Sequence, residues 1–217
     1  MNRVSAVLLA AGESRRMGSD NKLMLPVGGV PLLRRSVLTL LASKLHEVVV
    51  VLGHEAEKAH ALIRDLGVNV VYNRNYQEGQ MSSVHCGIEA LVRPCEGIMT
   101  CLADQPLLTH EDIDLLIDVF SRRDRGSILV PTYQGRRGNP IVFAAAHRGE
   151  ILAGGRNLGC KRLIERNADL VMTFESDNAH FVFDLDTPED YAEWQRLAGY
   201  PHEPAPGEGR DADRRAD

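Results

Sequence analysis

Leu9-Ala10-Ala11-Gly12-Glu13-Ser14-Arg15-Arg16-Met17-Gly18, with Asn21-Lys22-Leu23 close behind, continues an apolar run that begins at Val4. A short apolar run that passes into small residues and then charged ones reads as a buried strand leaving a sheet through a loop. Small residues let the backbone approach a ligand closely, and amides in such a turn can point at anionic oxygens. Arg16 and Lys22 add fixed positive charge beside it, which suits a triphosphate. The spacing matches neither common phosphate loop. No Lys follows the second glycine directly, and Gly12 and Gly18 do not form G-x-G-x-x-G. Read alone, a plain strand–helix turn with solvated arginines fits equally well.

Outward from this loop the chain alternates between two periods. Pro31–Lys44 carries a helical stripe at Leu33, Val37, Leu40 and Leu41, and Glu47–Leu52 is a β-branched run too short for a helix. A helix over Glu55–Leu66, a strand over Val68–Tyr72, a helix over Ser82–Val92 and a strand over Gly97–Leu102 follow. Thr109-His110-Glu111-Asp112 reads as a capping box ahead of Ile113, Leu116, Ile117 and Phe120. Ser127–Val130 is expected as a strand, Pro131–Asn139 as a polar loop and Ile141–Phe143 as a short strand. Lys161–Arg166 falls in a helix, and Leu170–Phe174 and Phe181–Phe183 read as strands. The pattern predicts an α/β fold, a doubly wound and mostly parallel sheet with helices on both faces and a late antiparallel addition.

The 25 Lys and Arg against 30 Asp and Glu give a net charge of −5 over 217 residues, so nucleic acid is not an expected partner. At 44% hydrophobic and 25% charged residues the chain can bury a real core. No apolar run approaches the roughly 18 residues a membrane span needs, and the N-terminal stretch meets Glu13 and Arg15 too soon for a signal peptide, so a cytoplasmic location is expected. Residues 1–199 are expected to form one domain. Residues 200–217, with Pro201, Pro204 and Pro206 and few large apolar side chains, are expected to form a disordered polar tail. Cys86, Cys95, Cys101 and Cys160 lack zinc spacing and read as ordinary thiols.

Three further loops fall at the carboxyl ends of strands, where open α/β sheets bind ligands. Asp104, in Leu102-Ala103-Asp104-Gln105-Pro106, can hold Mg²⁺ or can cap a turn. In Phe183-Asp184-Leu185-Asp186-Thr187-Pro188-Glu189-Asp190, Thr187, Pro188 and Asp190 account for a helix start, which leaves Asp184 and Asp186 on one side of an extended segment. Either can complete a metal site with Asp104, or both can be capping carboxylates. The polar loop from Asn75 to Val84 offers hydroxyls and amides for a base edge. His85, Cys86 and Cys101 are assigned to packing.

Taken together these loops resemble the MobA-like nucleotidyltransferase family, and within it the molybdenum cofactor cytidylyltransferases. The motifs are L-A-A-G-x-S-x-R-M-G with a following K-L, Gly79-Gln80-Met81-Ser82-Ser83, the loop around Asp104, Arg137-Gly138-Asn139-Pro140 and the run from Asp184 to Asp190, over roughly residues 4–197. The resemblance implies a Rossmann-like domain of the nucleotide-diphospho-sugar transferase type that transfers CMP from CTP to a molybdopterin-type phosphate and releases pyrophosphate. It implies a triphosphate cradle at Leu9, Ala10, Ala11, Gly12 and Gly18, with Arg16 and Lys22 neutralising charge. Asp104 and Asp186 would bind Mg²⁺, with Asp104, Arg16 and Lys22 as the catalytic set. Gly79, Ser82 and Ser83 would lie near the base, and Asn139 would face the acceptor. Leu-Ala-Ala-Gly rather than Leu-Ala-Gly-Gly points to CTP. Implied partners are the two small substrates and, transiently, a recipient molybdoenzyme. Two rival readings remain at this stage: a cytidylyl- or uridylyltransferase for a sugar phosphate or other small phosphate, and a non-catalytic molybdenum-cofactor carrier.

Overall fold

Strand β1 (Val4–Ala10) is buried almost throughout, and the sheet grows from it in both directions. On one side it pairs in parallel with β4 (Glu47–Leu52), which pairs in parallel with β5 (Asn69–Tyr72). On the other it pairs in parallel with β6 (Gly97–Leu102). The chain therefore runs out from β1 to β5 and returns to the opposite flank. The carboxyl ends of β1 and β6 become a topological switch point, where doubly wound sheets leave a crevice. The computed structural model describes residues 3–17, 21–154 and 160–199.

Beyond β6 the order continues through β9 (Ile141–Ala144), β7 (Ile128–Tyr133) and β10 (Val171–Glu175), with the two-residue β8 (Arg136–Arg137) paired to β7. β9 is antiparallel to both β6 and β7, whereas β10 and β7 are parallel. The expected antiparallel addition thus sits inside the sheet. A small antiparallel pair, β2 (Pro26–Val27) and β3 (Val30–Pro31), stands apart and turns on Gly28 and Gly29, both at positive φ.

Period two in the strands sorts their side chains onto two faces. Ala6 and Leu8 of β1, Val48 and Val50 of β4, and Met99 and Cys101 of β6 share one core with α1 (Leu32–Leu41), through Leu33, Val37 and Leu40. The same core includes Ile113, Leu116, Ile117 and Phe120 of α4 (His110–Ser121) and Ala59 of α2 (Ala56–Ala61). Val7, Val49, Val51 and Ile98 face the second core, with Val84 and Ile88 of α3 (Gln80–Glu89), Ile151 of α5 (Arg148–Ala153), and Leu163 and Ile164 of α6 (Cys160–Arg166). Gly87 lets α3 lie against β1: a Cβ there would collide with Val7 Cγ1.

A third cluster of Met17, Leu25, Val27, Leu32 and Leu185 takes in Tyr191 and Trp194 of α7 (Pro188–Ala198). Both capping boxes form, Thr109 with Asp112 and Thr187 with Asp190. Three sequence expectations change. Phe181–Phe183 is not a strand: Asn178 Oδ1 accepts from His180 N at 3.0 Å and starts a 3-10 turn over Ala179–Phe181. β7 continues through Tyr133, so the polar stretch after Val130 begins as strand and then turns back into β8. The helix expected over Glu55–Leu66 is regular only over Ala56–Ala61 and then unwinds into turns. The expected tail from residue 200 lies outside the described residues. No helix among the described residues is long and apolar enough to cross a membrane.

Candidate active site

The loop after β1 is held open by local bonds. Ser14 stands at φ 53°, and Met17 N donates to Ser14 O at 2.8 Å, closing the single turn Arg15–Met17. A Cβ added to Gly12 would meet nothing within 4 Å, so this residue opens onto free space. Behind the loop the reverse holds. A Cβ on Gly53 would lie 2.7 Å from both Ala11 Cβ and Tyr76 Cβ, so only glycine lets β4 end against this loop.

The cleft above has a volume of about 460 Å³. Leu9, Ala10, Ala11, Gly12, Arg16 and Lys22 line it from the first loop, Gly79 and Ser83 from the start of α3, and Asp104 and Asp186 from the two acidic loops. Glu13, Ser14, Arg15, Tyr76, Gln77 and Gln80 share the lining; the sequence motifs contained them without giving each a role.

Lys22 ties the first loop to both acidic loops. Its Nζ lies 2.6 Å from Asp104 Oδ2 and 2.7 Å from Asp186 Oδ1, with its side chain only 13% exposed. Arg16, largely exposed, reaches the other Asp186 oxygen at 2.7 Å. Asn21 fixes Lys22 from behind. Its Oδ1 accepts from Leu23 N at 3.1 Å, its Nδ2 donates to Glu55 at 3.2 Å, and Lys22 N donates to Ser14 Oγ at 3.2 Å. An asparagine directly before the lysine is a capping signal, and it was readable in the sequence.

Asp186 reaches this place because of the third hydrophobic cluster. Tyr191 and Trp194 pack α7 near Met17, Leu25 and Val27, and Tyr191 OH donates to Pro26 O at 2.7 Å. Leu185 N donates to Asp104 O at 2.8 Å, which joins the two acidic loops through the backbone. Asp186 is not a capping group: its N–H donates to Asp190, which with Thr187 performs that work.

The charges respond to this crowding. Burial pulls the Lys22 ammonium down, but Asp104 and Asp186 outweigh it and hold its pKa above the ordinary value. Burial pushes the Asp186 carboxyl up; Lys22 and Arg16 overcome it and leave its pKa lowered. For Asp184 the balance falls the other way. Burial, then the nearby charges of Asp104 and Asp186, push it up to about 6, while the Lys22 charge and a Gln105 hydrogen bond pull it down without prevailing.

Some predicted residues lie elsewhere. Ser82 does not join the lining: its hydroxyl is bonded to Asn75 O at 2.9 Å and Gly79 O at 2.8 Å, so it staples the loop to the helix start. Asn139 is also absent from the lining; its N–H donates to Phe181 O at 2.8 Å just before β9. Gly18 lies outside the described residues. Cys86 and Cys95 are half-buried free thiols and Cys101 is a buried one.

The acidic loops offer oxygen donors of the kind a divalent cation takes. Asp104 Oδ1 and Asp184 Oδ1 are buried with no hydrogen-bond partner, a costly state for carboxylate oxygens unless a cation can approach. Among the described residues no group of three or more His, Cys, Asp and Glu is arranged to hold an ion unaided. Mg²⁺ commonly uses one or two carboxylates and takes its other ligands from water and phosphate, so the residues present fit that ion.

Known proteins share this framework. The sequence family described as MobA-like NTP transferase domain matches residues 6–171. Nicotine blue oxidoreductase of Paenarthrobacter nicotinovorans is 28% identical over 197 residues, covering 86% of this chain and 93% of that protein. Purine catabolism protein PucB of Bacillus subtilis is 30% identical over 200 residues, 85% of this chain and 92% of its own. The molybdenum cofactor guanylyltransferase of Mesorhizobium japonicum is 26% identical over 207 residues, 89% and 95%. In fold, the crystal structure of Rv0371c from Mycobacterium tuberculosis matches with a TM-score of 0.76 at 24% identity, covering 91% of this chain and 98% of that one. A manganese complex of the same protein matches with a TM-score of 0.73 at 23% identity, 90% and 99%. With a match that spans both the cradle and the Asp104 loop, the chain belongs to the MobA-like NTP transferase family.

Proposed function

We propose that this protein transfers CMP from CTP to the phosphate of a molybdopterin-type acceptor and releases pyrophosphate, and that residues 1–199 form the unit that does so. The observation that carries this reading is the Lys22 bridge. It brings Asp104 and Asp186, 82 residues apart in sequence, together in a cleft that a small-residue loop also lines. In the proposed reaction an acceptor phosphate oxygen attacks the α-phosphorus in line. One oxygen–phosphorus bond forms as the bond to the β-phosphate oxygen breaks, and pyrophosphate leaves. No covalent enzyme intermediate is needed, so the chain's contribution is positioning and charge. Lys22 and Arg16 neutralise the phosphates, and the amides beyond Ala10 orient them. Mg²⁺ held by Asp104 and Asp186 would offset the repulsion of two polyanions.

The preference for CTP rests on Leu9-Ala10-Ala11-Gly12, the form the first loop takes in the cytidylyltransferases that the chain resembles. Divalent-ion use is supported by the manganese complex of the mycobacterial protein with the same fold. A carrier that only ferried a cofactor would have no use for an acid pair beside a phosphate loop. The test is pyrophosphate release with each of the four NTPs, offered molybdopterin-type and sugar-phosphate acceptors. Release with CTP and the pterin is expected. Release with a sugar phosphate alone would reassign the acceptor. Redox turnover of an offered substrate with no pyrophosphate from any NTP would overturn the reading, and an oxidoreductase is what the name of the Paenarthrobacter relative suggests.

A further inference from the structure

Asn73, at the end of β5, is 6% exposed, and both ends of its side-chain amide are engaged. Its backbone N–H donates to Leu52 O at 2.8 Å, which ties it to the end of β4. Its Oδ1 accepts from Asn75 N at 2.9 Å. That bond fixes which way the side-chain amide faces, because a backbone N–H can only donate. The Nδ2 group must then face α3, where it donates to Ser82 Oγ at 2.8 Å and to Ser83 Oγ at 2.9 Å.

The two hydroxyls differ in what remains to them. Ser82 has Asn75 O and Gly79 O as acceptors for its proton, so it is spent inside the loop. Ser83 is 4% exposed, lines the cleft, and among the described residues has only the Asn73 bond. Since Asn73 donates to it, the Ser83 proton has no acceptor among the described residues, and the cleft that Ser83 lines can offer one. Its neighbours Gly79 and Gln80 line the same cleft.

We propose that Asn73 is a positioning residue: it fixes the Ser83 hydroxyl as a hydrogen-bond donor toward an acceptor atom of the bound nucleobase, such as a pyrimidine carbonyl oxygen. This rests on the nucleotide-binding reading above and adds to it the polarity of the base subsite. It also assigns the two adjacent serines opposite roles, one structural and one toward the ligand.

The polarity can be reversed with little change of shape. Asn73→Asp keeps an acceptor for Asn75 N but accepts from Ser83 instead of donating to it, so the Ser83 proton turns inward. The measurement is the dissociation constant for CTP divided by that for inorganic tripolyphosphate, both with Mg²⁺. The ratio cancels the negative charge this substitution adds, because both ligands carry the phosphates. Asn73→Asp and Ser83→Ala are each expected to raise the ratio about tenfold, the loss of one hydrogen bond to the ligand. In the double variant the second change should add nothing, because both act through one proton. A rise in KM for CTP with kcat little altered should accompany it. An unchanged ratio in Asn73→Asp, or losses that multiply in the double variant, would overturn the proposal. Should Asn73→Asp not fold, the serines decide: Ser83→Ala must raise the ratio and Ser82→Ala must not, and equal effects refute the assignment. If the wild-type chain binds neither ligand, the nucleotide reading itself fails, and this inference falls with it.

Discussion

The two edges of the central sheet use carboxylates in opposite ways. At the amino edge Glu47, first residue of β4, accepts from Val92 N and Arg93 N at 3.1 Å each and from Ser5 Oγ at 3.5 Å. Each of its oxygens meets a donor that would otherwise be left open where the chain enters β6. At the carboxyl edge Asp104 meets one cation through Oδ2, while its Oδ1 is buried without a partner, as is Asp184 Oδ1. One edge has its carboxylate satisfied by the fold; the other has carboxylates the fold leaves wanting. The contrast separates a carboxylate whose bonds hold the chain together from two that each keep a buried, unpaired oxygen.

Substitutions should break along that line. Asp104→Asn, which keeps the volume and removes the charge, is expected to cut turnover by roughly a thousandfold or more while the melting temperature stays within a few degrees. Steady-state pyrophosphate release and a thermal scan on the same sample check both halves. A folded variant with near-normal turnover would erase the contrast. Glu47→Ala should do the opposite. Losing its bonds to two backbone amides costs about 1 kcal/mol, roughly 2–4 °C in a domain of this size, with KM and kcat for CTP unchanged.

The smallest effect belongs to a carboxylate on neither edge. Asp65 accepts both Arg34 nitrogens at 2.7 and 2.8 Å, and this pairing lowers its pKa from 3.8 to about 2. A carboxyl with a depressed folded pKa adds stability above its unfolded value, and that stability drains away as pH falls through the folded one. Asp65→Asn should therefore melt slightly below wild type at pH 7, with the gap closing between about pH 4 and 2. A gap that widened on acidification would show that the pair does not stabilise the fold.

Much of this was legible in the residues because it is local. Glu47–Leu52 and Gly97–Leu102 are β-branched or apolar runs between turn residues, and the strands take those bounds. Thr109 and Thr187 announce their helices, since a capping box is complete within four residues. Phe181 misled for the same reason turned round. Its apolar neighbours suggested alternation, while the asparagine three residues earlier decided the geometry. The acid pair and the cradle could be named because each sits in a short motif at the end of a strand. What joins them could not. Trp194 against Met17 and Val27 is a contact between chain segments with nothing between them to mark it, and no window of sequence contains both sides. Asn73 escaped notice because a lone asparagine after a strand reads as a turn, and only the fold shows its amide spanning two serines.

The bridge from Arg16 to Asp186 spans 170 positions, and that from Lys22 to Asp186 spans 164. A nascent chain emerging from its amino end can make its first strand, the glycine turn and the lysine early, yet it owns only half of its acid pair until α7 has docked. Catalytic competence on this plan arrives last, as a by-product of finishing the molecule, because a partly synthesised copy lacks both Asp186 and the Tyr191 and Trp194 side chains that complete the cluster beside the first loop.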